Sequence, residues 1–240
     1  MSGSMLYALS AVWILSFIGY GAIFVGLFYD KLNKNTLLTL VFINGLLGMV
    51  IVSAITSIIN IFLPLGQVVS FVIVITGLVL LVMHRKKFAV DTPKEFLFIA
   101  TLFVLCIGLS QIGYPTYGGD TFTYHIQIVK WAQESKTPIG IVHLFERLAS
   151  NNSLFTIAAV MELGYFKNYS IFMTNGVFLF FIACGFAKSA NEIFTSEQSR
   201  PSSLFLFLSG FTIFAATYTF LGNLYVELSA ATITIVIIYL

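Results

Sequence analysis

The chain carries a series of apolar runs, each close to the length that one helix needs to cross a bilayer. A hydrocarbon core of about 30 Å requires roughly 20 apolar residues in a helix. Six runs of this kind are separated by polar segments: residues 9–28, 36–63, 68–83, 96–112, 171–187 and 204–221. This pattern predicts an all-α fold, a polytopic bundle of transmembrane helices.

A seventh apolar run, residues 229–240, reaches the last residue of the sequence. At 1.5 Å per residue it would cover about 18 Å, which is too short to cross a bilayer. We therefore expect about six to seven spans and interpret the chain as the N-terminal portion of a longer protein. Residues 1–95 would form three N-terminal spans, and residues 96–240 would begin a second membrane unit.

The composition supports a membrane protein and excludes other classes. Only 9% of the residues are charged and 58% are hydrophobic, whereas a soluble domain carries about 25% charged residues. This excludes a soluble enzyme and a disordered chain. The formal net charge of +2 is too small for a nucleic-acid footprint, so we expect no nucleic-acid partner.

The basic residues predict the orientation of the spans. They occur in the first and third loops but not in the second loop, residues 64–67: Lys31, Lys34, Arg85, Lys86, Lys87 and Lys94. Because Lys and Arg accumulate in cytoplasmic loops, we expect the first and third loops in the cytoplasm and the N-terminus outside. Residues 114–170 then form an outer loop.

The outer loop contains two candidate helices that are not clear spans. The first has its apolar residues on one helical face: Phe122, Ile126, Val129 and Ala132. This pattern predicts an amphipathic helix that lies at the membrane surface. The second, residues 154–166, is apolar but only about 13 residues long, which favours an interfacial or re-entrant helix over a span.

Two carboxylates would then face the outer compartment at the membrane boundary. Asp120 follows the fourth span, and Glu227 stands where the last apolar run begins. Ionisable groups at this depth are costly, so they tend to be paired or functional. Carboxylates from separate loops suit a general base or a divalent metal site. Asp120 also precedes the amphipathic helix, so a purely helix-capping role stays open.

The order of these elements resembles the GT-C class of integral-membrane glycosyltransferases, which includes protein mannosyltransferases and lipid A aminoarabinose transferases. Residues 120–124, Asp-Thr-Phe-Thr-Tyr, are similar to the Asp-Glu-x-x-Tyr motif of the first outer loop in that class, with Thr121 in place of Glu. Residues 223–227, Asn-Leu-Tyr-Val-Glu, resemble the second acidic motif, with Glu in place of Asp. The resemblance covers about residues 96–240.

The resemblance implies a bacterial inner-membrane enzyme of cell-envelope polysaccharide synthesis. Such an enzyme transfers a sugar from a polyprenyl-phosphate donor to a lipid, glycan or protein acceptor on the outer side, and membrane lipid is its other partner. Asp120 and Glu227 would be catalytic, with Asp120 as the general base, and Glu227 could help to hold a divalent metal. The residues implied for substrate binding are Tyr124, His125, Lys130 and Arg147.

Alternatives to this interpretation stay open. His125 is also compatible with a packed or water-exposed histidine on the surface helix, and Arg147 with a lipid headgroup contact. For the whole chain, the alternatives are an O-antigen polymerase or ligase and a membrane subunit without catalysis. A transporter is less favoured, because the clear spans carry no acid or base near their middle.

Overall fold

The described part of the chain is built from α-helices, as the sequence predicts. A computed structural model describes residues 3–28, 36–88, 93–112, 124–137, 140, 143, 153–162 and 170–195. These residues form seven α-helices: α1 (Gly3–Phe28), α2 (Leu37–Phe62), α3 (Gln67–His84), α4 (Pro93–Ile112), α5 (Ile126–Glu134), α6 (Ser153–Met161) and α7 (Ser170–Thr195). A short 3₁₀ turn, Arg85–Phe88, follows α3.

Five helices have the length and hydropathy of membrane spans: α1, α2, α3, α4 and α7. The chain is therefore a multi-pass membrane protein. Helix α7 runs eight residues past the predicted end at residue 187, and its last turns contain an ion pair between Lys188 Nζ and Glu192 Oε1 at 3.2 Å. The predicted spans at 204–221 and 229–240 lie outside the described residues.

The start of α2 is held by groups that satisfy its first backbone donors. The Thr36 hydroxyl accepts a hydrogen bond from the backbone N–H of Thr39 at 3.4 Å. The Glu95 carboxylate, which belongs to α4, accepts one from the N–H of Leu38 at 3.0 Å. A carboxylate near a helix N-terminus also interacts favourably with the helix dipole. The start of α4 therefore lies beside the start of α2.

The helix contacts fix the direction of each span. Helix α2 ends next to Pro64, and α3 ends next to Arg85, so we name the two ends of the bundle the Pro64 end and the Arg85 end. The ring of Phe42 on α2 lies over Gly185 of α7, and the ring of Phe181 lies over Gly45. This pairing makes α7 antiparallel to α2, so α7 begins at the Pro64 end.

Helix α4 also reaches the Pro64 end. Its Ser110 contacts Gly176, in the first turns of α7, while its Glu95 is at the opposite end. The segment from the end of α4 to the start of α7 therefore leaves and re-enters the bundle at one end. This agrees with the prediction that residues 154–166 do not cross the membrane. The helix found there, α6, has nine residues, or about 14 Å.

Close approach of α1, α2 and α3 depends on glycines. A Cβ atom at Gly48 would collide with the backbone of Phe17, and one at Gly77 would collide with Ser16. Small residues let helices approach closely enough for backbone contact, which is a principal source of helix association in lipid. By contrast, α3 and α4 expose apolar side chains over most of their surface, as expected of helices at the lipid boundary.

Candidate functional site

Helices α5 and α6 form a pair of half-length helices docked inside the Pro64 end of the bundle. The ring of His125, just before α5, is 5.0 Å from that of Phe155 in the first turn of α6. At the other end of the pair, Gln133 of α5 contacts Ala159 of α6. The two helices are therefore parallel. This α5–α6 pair packs against α2, and α6 also contacts α7.

The N-terminal ends of both half-helices lie deeper in the bundle than their C-terminal ends. Ala132 of α5 meets Asn60, in the last turn of α2. Thr156 of α6 meets Thr56, one turn further down α2. All eight residues from Leu154 to Met161 are buried. Helix α6 is thus re-entrant rather than interfacial, and it is enclosed by protein.

The predicted amphipathic helix is present as α5, but protein covers part of its apolar face. Val129 and Ala132 are buried, as the predicted face requires. Gln133, which the helical pattern assigns to the polar face, instead donates to the carbonyl oxygen of Ala159 at 3.0 Å. The pattern identified the helix correctly, but the partner of its polar side is a second half-helix.

Tyr124 and His125 form an aromatic cluster with Phe155 at the deep end of the pair. The Tyr124 and His125 rings are 4.3 Å apart in an edge-to-face arrangement. His125 is 8% exposed, and the Phe155 ring lies on it at 5.0 Å. Edge-to-face and tilted ring contacts add to the stabilisation that burial provides. This arrangement favours the packing role for His125 that the sequence leaves open.

A buried carboxylate lies at the C-terminal end of α6. Glu162 is 9% exposed, and its Oε2 accepts a hydrogen bond from Gln133 Nε2 at 2.7 Å. The same Gln133 nitrogen donates to the carbonyl oxygen of Ala159. Because the last carbonyl groups of a helix have no partner within it, the Gln133 amide both caps α6 and fixes the carboxylate.

The C-terminal end of α5 is held in the same way by Asn60 of α2. Its Nδ2 lies 3.1 Å from the carbonyl oxygen of Ala132 and 3.2 Å from that of Ser135. Its Oδ1 accepts from the Thr137 hydroxyl at 3.1 Å. The N–H of Leu65 also donates to the Ala132 oxygen, at 2.7 Å. These bonds satisfy backbone groups that could not be left unpaired in a membrane.

Hydroxyl groups join α6 to α2 one helical turn deeper in the bundle than Asn60. Thr56 Oγ1 donates to Thr156 Oγ1 at 2.9 Å, and Ser57 Oγ lies 3.4 Å from the same atom. Thr156 also donates to the Ser153 carbonyl oxygen at 2.8 Å. Together with Asn60, these side chains make one polar face on an otherwise apolar span. Polar residues inside a membrane bundle usually face one another or a functional cavity.

Three of the six predicted site residues lie within the described part of the chain. Tyr124 and His125 stand before α5, and Lys130 is half-buried in the middle of that helix. Asp120, Arg147 and Glu227 lie outside the described residues. Across the described ranges, no three side chains of His, Cys, Asp or Glu come together as metal ligands. The divalent metal therefore stays a prediction that concerns Asp120 and Glu227.

The sequence analysis missed the polar side chains that seat the α5–α6 pair. A signal for some of them is present in the second span, where Ser53, Thr56, Ser57 and Asn60 follow the i, i+3, i+4, i+7 spacing of one helix face. That spacing predicts a polar partner inside the membrane. The identity of the partner depends on residues about 70 to 100 positions away, which no local pattern reveals.

Comparison with known proteins assigns the chain to a family. No curated protein and no solved structure matches the chain. A family model matches residues 5–240, which is nearly the whole sequence. The chain belongs to DUF8201, a domain family of unknown function.

Proposed function

We propose that this protein is a membrane glycosyltransferase that moves a sugar from a polyprenyl-phosphate donor to an acceptor at the Pro64 end of the bundle. The observation that carries the proposal is the α5–α6 pair, which begins two residues after Tyr124, the last residue of the motif 120–124, and lies inside the membrane bundle. A donor held by a lipid tail reaches a site of this kind from the bilayer. The resemblance to the GT-C class supplies the reaction.

The distribution of charge supports an outer location for this site. The Arg85 end carries Arg85, Lys86, Lys87, Lys94 and Lys188, whereas the Pro64 end carries Lys130 and Lys136 among the described residues. By the rule that basic residues accumulate on the cytoplasmic side, the Arg85 end is cytoplasmic. The α5–α6 pair then opens to the outer side, where carrier-lipid sugars are consumed by enzymes of this class.

The proposed chemistry divides between a base and groups that stabilise phosphate. Asp120 removes the proton of the acceptor hydroxyl as its oxygen attacks the anomeric carbon, and the bond from that carbon to the phosphate oxygen breaks. Lys130 and Arg147 offset the negative charge on the departing phosphate. Glu227 orients one of these cations or the acceptor. His125, packed on Phe155, positions the start of α5 rather than touching substrate.

Replacement of Asp120 by Asn tests the proposal. Membranes that contain the wild-type protein should transfer labelled sugar from a panel of polyprenyl-phosphate sugars, beginning with mannose and aminoarabinose, to endogenous acceptors. Because general-base catalysis contributes about 10² to 10⁴ in rate, we expect D120N to lose at least a hundredfold of that transfer while the protein remains in the membrane. The measurement is label incorporated per amount of protein.

Glu134→Gln is the matched control, since Glu134 is an exposed carboxylate on α5. It should keep wild-type transfer. Equal turnover by D120N and the wild type would remove Asp120 as the base. Absence of transfer by the wild type with every donor of the panel would contradict the transferase itself.

A further inference from the structure

A small cleft opens on the side of the bundle where α6 begins. It has a volume of about 90 Å³. The walls are mainly apolar and come from α2, α6 and α7: Met49, Val50, Leu154, Ile157 and Phe178, with Ser53 and Ser153 as the polar members. Val50 is 41% exposed, so the cleft opens sideways toward lipid rather than toward either end of the bundle.

The depth of the cleft places it in hydrocarbon. Ser53 lies nine residues before Phe62, the last residue of α2, which corresponds to about 14 Å along the helix. Helix α2 has 26 residues and is about 39 Å long, longer than the roughly 30 Å core. Ser53 is therefore below the headgroup level, and a ligand must arrive from the bilayer.

The Ser53 hydroxyl is a hydrogen-bonding group that lines this cleft. Ser53 is only 8% exposed, yet its Oγ makes no hydrogen bond with any of the described residues. Ser10 and Ser189 in other spans donate to the backbone carbonyls of Leu6 and Gly185, whereas the Ser16 hydroxyl of α1 is buried without a partner in the described part of the chain. A hydroxyl without a partner costs about 1–3 kcal/mol in an apolar setting, and Ser53, unlike Ser16, lines a cleft that a ligand can enter from the membrane.

The donors in the cleft define what such a ligand must offer. The hydroxyls of Ser53 and Ser153 line it, and α6 begins at Ser153. The first turn of a helix presents N–H groups that have no acceptor within that helix. The head of the ligand must therefore carry an oxygen that accepts hydrogen bonds, while its remainder is apolar enough for the other walls.

The charge of the ligand follows from its surroundings. The described lining contains neither Lys nor Arg, and the described basic residues are at the two ends of the bundle. An anionic head at this depth would find no countercharge among the described residues, which is costly in hydrocarbon. A neutral carbonyl oxygen avoids that cost.

We propose that the cleft binds the ester carbonyl of a neutral acyl lipid that has no charged headgroup, with Ser53 and Ser153 as donors. A lipid of the diacylglycerol type fits this chemistry. Without a charged headgroup it is not held at the bilayer surface, so its ester can reach the level of Ser53. Its chain extends past Val50 into the bilayer. This binding does not depend on the sugar-transfer reaction.

Photolabelling in vesicles tests this site. The protein is reconstituted in phosphatidylcholine vesicles with trace diacylglycerol whose chain carries a diazirine a few carbons from the ester. We expect label on the α2 and α6 peptides that contain residues 49–53 and 153–157. Since a neutral hydrogen bond is worth a factor of about 2 to 10, the variant with Ser53→Ala and Ser153→Ala should lose at least fivefold of this label.

Two further variants separate binding from folding. Ser10→Ala, a buried serine on α1, should keep the label. Val50→Phe fills the mouth of the cleft from an exposed position, so it should block labelling without disturbing the core. Label confined to other peptides, or undiminished in the double serine variant or in V50F, would overturn the site. Equal labelling by phosphatidylcholine or fatty-acid anion probes with the same diazirine would overturn the neutral-ester assignment.

Discussion

At the scale of single residues, Asn60 joins the end of a span to the end of a half-helix. It lies two residues from the end of a span, and its side chain reaches carbonyl oxygens 72 and 75 positions later in the sequence. The hydrocarbon around a membrane bundle offers no water to replace such bonds. Asn60 therefore helps to fix the C-terminal end of α5, although the sequence near Asn60 predicts only that it has a polar partner.

Replacing Asn60 with Ala should destabilise the protein by about 2 kcal/mol or more, because it removes the side-chain hydrogen bonds to Ala132, Ser135 and Thr137, each worth about 1 kcal/mol. Asn60→Asp should be similarly harmful, since a carboxylate accepts from Thr137 but donates nothing to Ala132 and Ser135. The measurement is unfolding in mixed micelles of mild detergent and SDS. Gln127→Ala, at an exposed position on α5, should behave as the wild type, and unchanged stability of both Asn60 variants would contradict the role.

At the scale of elements, the spans could be predicted and the half-helices only partly. Apolar length alone located α2 and α3 to within a residue or two, because a helix is the only way for one segment to satisfy its backbone in lipid. The limits of α6 were less accurate, with residues 154–166 predicted and Ser153–Met161 found. Its position depends on contacts such as Gln133 with Glu162, which join separate helices.

The packing of α1 against α2 gives a test at this scale. A Cβ atom at Gly48 would collide with the backbone of Phe17, which cannot move without separating the helices. Overpacking of this kind costs about 1–3 kcal/mol, so Gly48→Ala should lower stability by that amount in the same SDS titration. Gly66→Ala is the control, because its Cβ would meet only the Gln133 oxygen at an ordinary 3.7 Å. Equal stability of the two variants would refute the close contact.

At the scale of the whole molecule, α4 ends and α7 begins at the same end of the bundle, the Pro64 end. This follows from two contacts, Leu38 with Glu95 and Ser110 with Gly176. The short length of residues 154–166 favoured the same topology. Counts of basic residues on each side distinguished only weakly between a crossing and a non-crossing segment. Only sequence order and the predicted side of the membrane connect Asp120 with Glu227. The site that contains both carboxylates is therefore a proposal.

Cysteine labelling of intact cells tests this topology. Lys136→Cys lies at the Pro64 end and Lys94→Cys at the Arg85 end, and both positions are exposed. The native Cys106 and Cys184 are buried, so background labelling should be low. We expect a membrane-impermeant maleimide to label K136C in intact cells and K94C only after permeabilisation. Labelling of both variants from the same side would contradict the fold, and the reverse pattern would contradict the orientation.

The contact between Thr56 and Thr156 also has a consequence for biosynthesis. The two residues are 100 positions apart, and ribosomes add about 5 to 20 residues per second. Thr156 is therefore synthesised about 5 to 20 seconds after Thr56, and during this time the hydroxyl groups of α2 have no partner from α6. During that interval α1, α2 and α3 can already assemble through their glycine contacts. The nascent chain can thus form a three-helix unit before the half-helices and α7 are made, and these later helices then dock onto it.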